Sequence, residues 1–175
     1  MKIGKEWKVL LFLLLLPFLI ILLTDCSLKQ GVPQWSGSGF VRKEFLEYKS
    51  VAILPFEGDD SGEVSSAFAL RFHEKFPEIS IVDREQVLEA FRDQALKPDQ
   101  LDEESRFRIG NTLGVQALIA GRIYYPSITR WLLQITILDI ETGKMMGRSL
   151  VEINFMGAMG KEEAARFAVD KLTLW

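Results

Sequence analysis

A compact apolar run, Ser50-Val51-Ala52-Ile53-Leu54-Pro55-Phe56, leads into an acidic loop with two glycines at residues 57–62. This combination predicts a buried β-strand that feeds a turn. A helix is predicted next, because apolar side chains recur every four residues at Val64, Phe68, Phe72 and Phe76. That helix ends before Pro77, since proline cannot continue a helical hydrogen-bond pattern.

A second strand and helix repeat this plan. The short apolar stretch at residues 79–82 predicts a strand, and Asp83-Arg84-Glu85-Gln86 after it has the form of a capping box. A third helix is predicted over residues 102–113, with Gly114 at its C-terminal cap.

Strand patterns dominate the last third of the chain. Residues 117–125 are largely apolar, and residues 131–140 alternate, so that one face carries Trp131, Leu133, Ile135 and Ile137. Residues 141–144 predict a turn. The segment after the turn, residues 145–155, pairs back as a hairpin partner with a common face of Val151, Ile153 and Phe155.

A final helix from about Lys161 buries small and apolar residues, namely Ala164, Ala165, Ala168 and Leu172. The predicted order is therefore β-α-β-α-α-β-β-β-α. It predicts an α/β fold, with a mixed β-sheet packed with helices in one domain of residues 50–175.

The N-terminus has the layout of a secretory signal peptide, predicted over residues 1–25. Lys2, Lys5 and Lys8 precede an uncharged apolar run at residues 9–23. As a helix this run rises only about 22 Å, less than a hydrocarbon core of roughly 30 Å. It is therefore better suited to engage the export machinery than to span the bilayer.

The sequence Leu23-Thr24-Asp25-Cys26 resembles the lipobox of bacterial lipoproteins. The resemblance implies cleavage between Asp25 and Cys26 and transfer of diacylglycerol to Cys26, which is the single cysteine of the chain. Asp25 departs from the pattern, which has Gly, Ala or Ser there, and an uncleaved membrane anchor is the alternative. Ser27 is not the Asp of an inner-membrane retention signal, so the periplasmic face of the outer membrane is predicted, with the inner membrane as the alternative.

Residues 26–49 are predicted to form the lipidated N-terminus and a tether. Gly, Ser and Pro are frequent in this segment, and a flexible coil of about 23 residues has a root-mean-square reach of roughly 25 to 30 Å. Residues 40–48 carry enough apolar side chains to pack on the domain as a short helix or strand.

The charge balance and the lack of known motifs argue against several classes of function. The formal net charge is −3 and no block of Lys or Arg is present, which argues against a nucleic-acid partner. The lone histidine, His73, has no second histidine beside it for a metal site. Asp59, Asp60 and Glu63 lack the spacing of a calcium loop, and Asp60 with Glu63 fits a helix start. No catalytic residue, metal or cofactor is predicted.

Three segments, in order behind the lipobox, resemble the CsgG superfamily of envelope proteins. This family includes the curli-secretion lipoprotein, the penicillin-binding-protein activator lipoproteins and the N-terminal domain of TolB. The segments are the run at residues 51–56 with its Asp/Gly loop, the helix-Gly-strand-Gly passage at residues 108–121 and the strand with D-x-x-T-G turn at residues 138–144. The resemblance implies a periplasmic, non-catalytic module that assembles with itself or with an envelope protein.

Two hypotheses of function follow. The favoured one is a membrane-tethered interaction module, for which Tyr124, Tyr125 and Trp131 are a candidate contact surface. The alternative is an envelope hydrolase that acts through paired carboxylates such as Asp59 and Asp139. Chemistry of that kind requires two carboxylates about 5 to 10 Å apart.

Overall fold

The computed structural model describes residues 35–95, 102–154 and 160–175. The strands are β1 Trp35–Val41, β2 Ser50–Ile53, β3 Ser80–Ile81, β4 Ala117–Ser127, β5 Arg130–Asp139 and β6 Met145–Asn154. The helices are α1 Glu63–Lys75, α2 Arg84–Asp93, α3 Glu103–Leu113 and α4 Lys161–Asp170, and a 3-10 helix, Lys43–Glu47, lies between β1 and β2. From β2 to α4 the predicted order of elements is confirmed.

The six strands form one mixed sheet in the order β1-β6-β5-β4-β2-β3. Strand β2 is parallel to both β3 and β4, whereas β4, β5, β6 and β1 pair antiparallel. The predicted α/β class with a mixed sheet packed with helices is therefore confirmed. Within the described ranges, no helix combines the length and the apolar character that crossing a membrane requires.

The larger core lies between one face of the sheet and helices α1 and α4. Phe68 and Phe72 of α1 are fully buried there, as the four-residue spacing predicts. The alternating face of β5 is buried against them, with Leu133, Ile135 and Ile137 each 0% exposed. Ala164, Ala165 and Ala168 of α4 are also 0% exposed, because alanine lets a helix approach a sheet closely.

A smaller core lies on the opposite face, under α2 and α3. Its members come from β2, α2, α3 and β4 and include Leu54, Val87, Ile109 and Leu118. The caps of these helices match the sequence prediction in part. Asp83 accepts a hydrogen bond from the Glu85 amide at 3.1 Å, and Gly114 adopts a left-handed conformation with φ 65° at the end of α3.

The start of the folded region differs from the predicted boundary at residue 50. Strand β1 pairs with β6 along its whole length, from Trp35 opposite Ile153 to Val41 opposite Gly147. Val41 and Phe45 of the 3-10 helix are both fully buried, so the apolar packing expected for residues 40–48 is present. The segment assigned to a tether thus enters the sheet at Trp35, and the signal peptide, Cys26 and Phe155 lie outside the described residues.

The glycines of β1 explain this difference. A Cβ atom on Gly37 would lie 2.6 Å from Cε1 of Phe167 in α4, and one on Gly39 would lie 2.8 Å from the Lys171 carbonyl oxygen. Glycine is required at both positions because α4 and its C-terminal end pack directly on the backbone of the strand. Glycines that are typical of a flexible linker are here sites of close packing.

Candidate functional site

Asp59 lies in the loop before α1 and serves as the capping group of that helix. Its carboxylate accepts hydrogen bonds from the Ser65 amide at 2.8 Å, from the Ser65 hydroxyl at 2.9 Å and from the Val64 amide at 3.3 Å. These bonds satisfy amide groups that have no partner within the helix. The sequence predicts a helix start at Asp60 with Glu63, and the helix does begin at Glu63, after the N-cap residue Gly62. The carboxylate that accepts from its first amides is that of Asp59, whereas Asp60 is exposed.

Asp139 lies at the end of β5 and organises the turn that follows. One carboxylate oxygen accepts hydrogen bonds from the Thr142 amide and hydroxyl, both at 2.6 Å, and the other accepts one from the Tyr48 hydroxyl. Burial acts to raise the pKa of Asp139, but the hydrogen bonds from Thr142 and Tyr48 outweigh it and lower this pKa. Burial and the bond to Asp139 raise the pKa of Tyr48.

The two carboxylates of the hydrolase hypothesis lie at opposite ends of the sheet. Asp139 pairs with Ala117 at the start of β4, whereas Gly58, next to Asp59, lies against Ile123 further along the same strand. Six residues of strand separate these places by about 20 Å, well beyond the spacing of a glycosidase pair. The hypothesis of paired chemistry by Asp59 and Asp139 is therefore wrong, and both side chains are engaged in structural hydrogen bonds.

The candidate metal ligands are not brought together. His73 is exposed on α1, near the end of that helix. Among residues 35–95, 102–154 and 160–175, no group of three or more His, Cys, Asp or Glu side chains is placed to hold a metal ion.

The predicted contact residues occupy different faces of the sheet. Trp131 is half-buried against the larger core and lies in register with Ile153 and, through it, with Trp35 of β1. Tyr124 pairs with Leu132, and by strand alternation both point to the face that carries α2 and α3. Tyr125 is 62% exposed beside the β-bulge that follows Tyr124. The three residues therefore do not form one continuous surface.

The hairpin between β4 and β5 carries a prominent apolar tip, defined here as residues 125–129. Ile128 at its turn is 99% exposed, and Tyr125, three residues before it, is 62% exposed. The tip contains no charged residue. At its base, Arg122 pairs with Glu57 and Arg130 pairs with Glu152, each at 3.1 Å.

A cleft of about 360 Å³ lies between the first turns of α3 and the end of β5 with its turn. Its apolar surface is formed by Phe107, Leu118, Leu138 and Ile140. Its charged side chains are four acidic ones, Glu103, Glu104, Asp139 and Glu141, and one basic one, Arg106. Phe107 is 47% exposed, so an aromatic ring is available at the mouth of the cleft.

Sequence reasoning missed both Ile128 and Phe107. Each has a signal in the sequence that could have indicated it. Ile128 is the single aliphatic residue in a turn of Pro, Ser and Thr, and Phe107 stands among charged residues on the polar side of its helix. In both cases an apolar side chain occupies a position that the local sequence pattern predicts to be exposed to solvent and polar.

These features define an α/β domain with an apolar hairpin tip and an acidic cleft. No protein-family model matches the sequence, and no curated protein matches it. Solved structures are similar in architecture. The LpoB C-terminal domain from Salmonella enterica matches at a TM-score of 0.49 and 12% identity, over 61% of this chain and 82% of that chain.

Two further structures are similar to a comparable degree. Lipoprotein GNA1162 from Neisseria meningitidis matches at a TM-score of 0.49 and 15% identity, over 60% of this chain and 79% of that chain. The PelC dodecamer from Paraburkholderia phytofirmans matches at 0.47 and 11%, over 79% of this chain and 94% of that chain. At these scores and identities the matches do not assign a function to this chain.

Proposed function

We propose that this protein is a bacterial envelope lipoprotein that acts as a non-catalytic interaction module. The observation that carries the proposal is Leu23-Thr24-Asp25-Cys26 behind a basic and then apolar leader. Cys26 receives the lipid, and the domain lies on the periplasmic face of the outer membrane. Membership of the CsgG superfamily is part of this proposal and is supported by the three sequence resemblances.

The geometry of the domain favours interaction over chemistry. Asp59 caps a helix and Asp139 holds a turn, so each carboxylate singled out for hydrolysis has a structural role. The cleft between α3 and β5 combines apolar side chains with exposed carboxylates at Glu103, Glu104 and Glu141. This arrangement is complementary to a protein segment in which an apolar anchor is flanked by Lys or Arg.

The anchor is tested by the intact mass of the membrane-extracted protein, together with its position in a density gradient. The expected mass is that of residues 26–175 plus acyl chains, in the outer-membrane fraction, and the Cys26→Ser variant should lose both the cleavage and the acyl mass. Full-length unacylated protein in the inner membrane would contradict the lipoprotein assignment and would mean that Asp25 blocks processing.

The cleft is tested with a photocrosslinking amino acid at Phe107 in cells that express the full chain. A discrete protein adduct is expected from this position, and Glu141→Lys should weaken it because the charge complementarity is reduced. A crosslinker at Leu70, which is 55% exposed on α1, is the matched control. Equal adducts from both positions, or none from Phe107, would contradict the cleft as a contact site.

A further inference from the structure

We propose that the apolar hairpin tip, residues 125–129, is a second membrane contact that lies in the same lipid surface that holds the N-terminal anchor. This inference rests on the proposed function in one respect, the attachment of the chain to a membrane near residue 26. The tip itself has the chemistry of an interfacial contact. Ile128 is 99% and Tyr125 62% exposed, and tyrosine is favoured at membrane–water interfaces.

The register of the sheet places the tip beside the point where the chain enters the domain. Trp35, the first residue of β1, pairs with Ile153, which pairs in turn with Trp131 of β5. Strand β1 begins at this row and runs away from the tip, so Trp35 lies at the end of the sheet at which the hairpin projects. Ser127 pairs with Arg130, so Ile128 and Thr129 form the turn, and the hairpin extends about 7 Å past the row.

The length of chain before β1 limits how far this end can lie from the membrane. Eight residues, 27–34, connect Cys26 to Trp35. At a maximum of about 3.3 to 3.6 Å per residue they span at most about 30 Å. Attachment at Cys26 therefore limits the distance from Cys26 to Trp35 to about 30 Å. Trp35 lies at the tip end of the sheet, whereas the turn after Asp139 lies at the opposite end of β5.

The charges around the tip indicate a neutral lipid surface. Arg122 and Arg130 at the base are each neutralised by a glutamate, and the chain as a whole is acidic. Insertion of Tyr125 and Ile128 into the interface does not require anionic lipid, since apolar transfer supplies the attraction. The contact should therefore be insensitive to salt and present on vesicles of phosphatidylcholine alone.

The test uses the full chain, purified from membranes and reconstituted into phosphatidylcholine vesicles. An environment-sensitive fluorophore is attached to Ile128→Cys, and quenching by a lipid-borne quencher is measured. The matched control is Lys144→Cys, which is exposed in the turn between β5 and β6 at the far end of the sheet. Quenching at residue 128 is expected to exceed that at residue 144 severalfold, at low and high salt alike.

A second variant separates insertion from mere proximity. Tyr125→Asp in the Ile128→Cys background should lower the quenching, because a charged side chain opposes entry into the interface. Equal, weak quenching at residues 128 and 144 would overturn the proposal. A second result would also overturn it. If the fluorophore is exposed to water in vesicles that contain only this protein and becomes shielded only in native membranes, the tip contacts another protein and not lipid.

The intact mass of the same sample shows separately whether Cys26 carries the lipid, so a failure of the second contact can be told from a failure of the proposed anchor. If the chain is unprocessed, the membrane attachment is the apolar run that ends at Leu23, only a few residues further from β1. In that case Cys26 keeps a free thiol that would also take the fluorophore, so the label is placed on Ile128→Cys in a Cys26→Ser background, and the quenching there decides the proposal. An acylated chain without quenching would retain the proposed function and reject the second contact.

Discussion

The Tyr48 hydroxyl donates a hydrogen bond to the carboxylate of Asp139, 91 positions further along the chain. This bond joins the segment that precedes β2 to the end of β5, close to the acidic cleft. Because Asp139 also accepts two hydrogen bonds from Thr142, one carboxylate ties together a turn, a strand and the N-terminal segment. The D-x-x-T-G pattern that resembles an envelope family is thus explained here by the geometry of a turn.

A double-mutant cycle should reveal the coupling between these residues. We expect Tyr48→Phe to lower the free energy of unfolding by about 1 kcal/mol and Asp139→Asn by about 1 to 3 kcal/mol, because Asp139 is a charged acceptor. The double variant should lose less than the sum of the two, since both single changes act on the same bond: phenylalanine lacks the hydroxyl, and asparagine lacks the second acceptor oxygen. Urea unfolding measures all four proteins, and strict additivity would exclude the coupling.

The lowered pKa of Asp139 predicts a dependence of stability on pH. The unfolded chain binds a proton at Asp139 more readily than the folded chain, so the stabilisation is present above the unfolded pKa of about 3.9. It is lost as the pH falls from there through the folded pKa. The stability difference between wild type and Asp139→Asn, as measured by urea midpoints, should therefore shrink as the pH is lowered from about 5 to about 2, with most of the loss below about 3.9. A constant difference over this range would contradict the prediction.

Phe45 and Leu46 test whether the segment before β2 belongs to the domain. Both lie on the 3-10 helix, but Phe45 is fully buried and Leu46 is 44% exposed. Phe45→Ala should cost about 3 to 5 kcal/mol of unfolding free energy, because it removes a ring packed between the sheet and α1. Leu46→Ala should cost under about 1 kcal/mol. If thermal or urea unfolding finds equal effects, the segment is not part of the cooperative fold.

A comparison of alanine variants at Asp59 and Asp60 tests whether the acidic loop stabilises α1 through a specific cap or only through its negative charge. Asp59→Ala should destabilise the protein by about 1 to 2 kcal/mol, because the amides of Val64 and Ser65 lose their acceptor. Asp60→Ala, next to it and exposed, should change stability by less than about 0.5 kcal/mol. Chemical denaturation of the two variants provides the comparison. A larger loss for Asp60→Ala would restore the helix start that the sequence predicts.

Much of the fold could be predicted from the sequence because its elements have strong periodicity. The four-residue spacing of phenylalanines in α1 and the alternation in β5 each correspond to a buried face. Strand β1 could not be predicted in the same way, since its inward positions at residues 37 and 39 are glycines. Close backbone packing by α4 creates that requirement, and it depends on a contact with a helix at the other end of the chain.

Which side chains lie together in the candidate site could be predicted less well from the sequence. Tyr124 and Trp131 are close in sequence and aromatic, yet strand alternation and a bulge direct them to different faces. Asp59 follows β2 and Asp139 is the last residue of β5, but β5 runs antiparallel to β4, so its end lies where the parallel strands begin. Which ends of strands meet depends on the direction of each strand, and a single sequence does not report it.

The outer edge of β1 is completed by the last residues of the chain. The Val41 amide donates a hydrogen bond to the Thr173 carbonyl, the Trp175 amide donates one to the Val41 carbonyl, and the Thr173 hydroxyl donates one to Gly39, 134 positions earlier. All the described backbone partners of β1 thus lie in β6 or in residues 173–175, more than 100 positions later in the sequence. Pairings between such distant segments form slowly. Strand β1 can therefore join the sheet only after residues 145–175 have been made, so the strand that comes first in the sheet's sequence order is among the last to be paired.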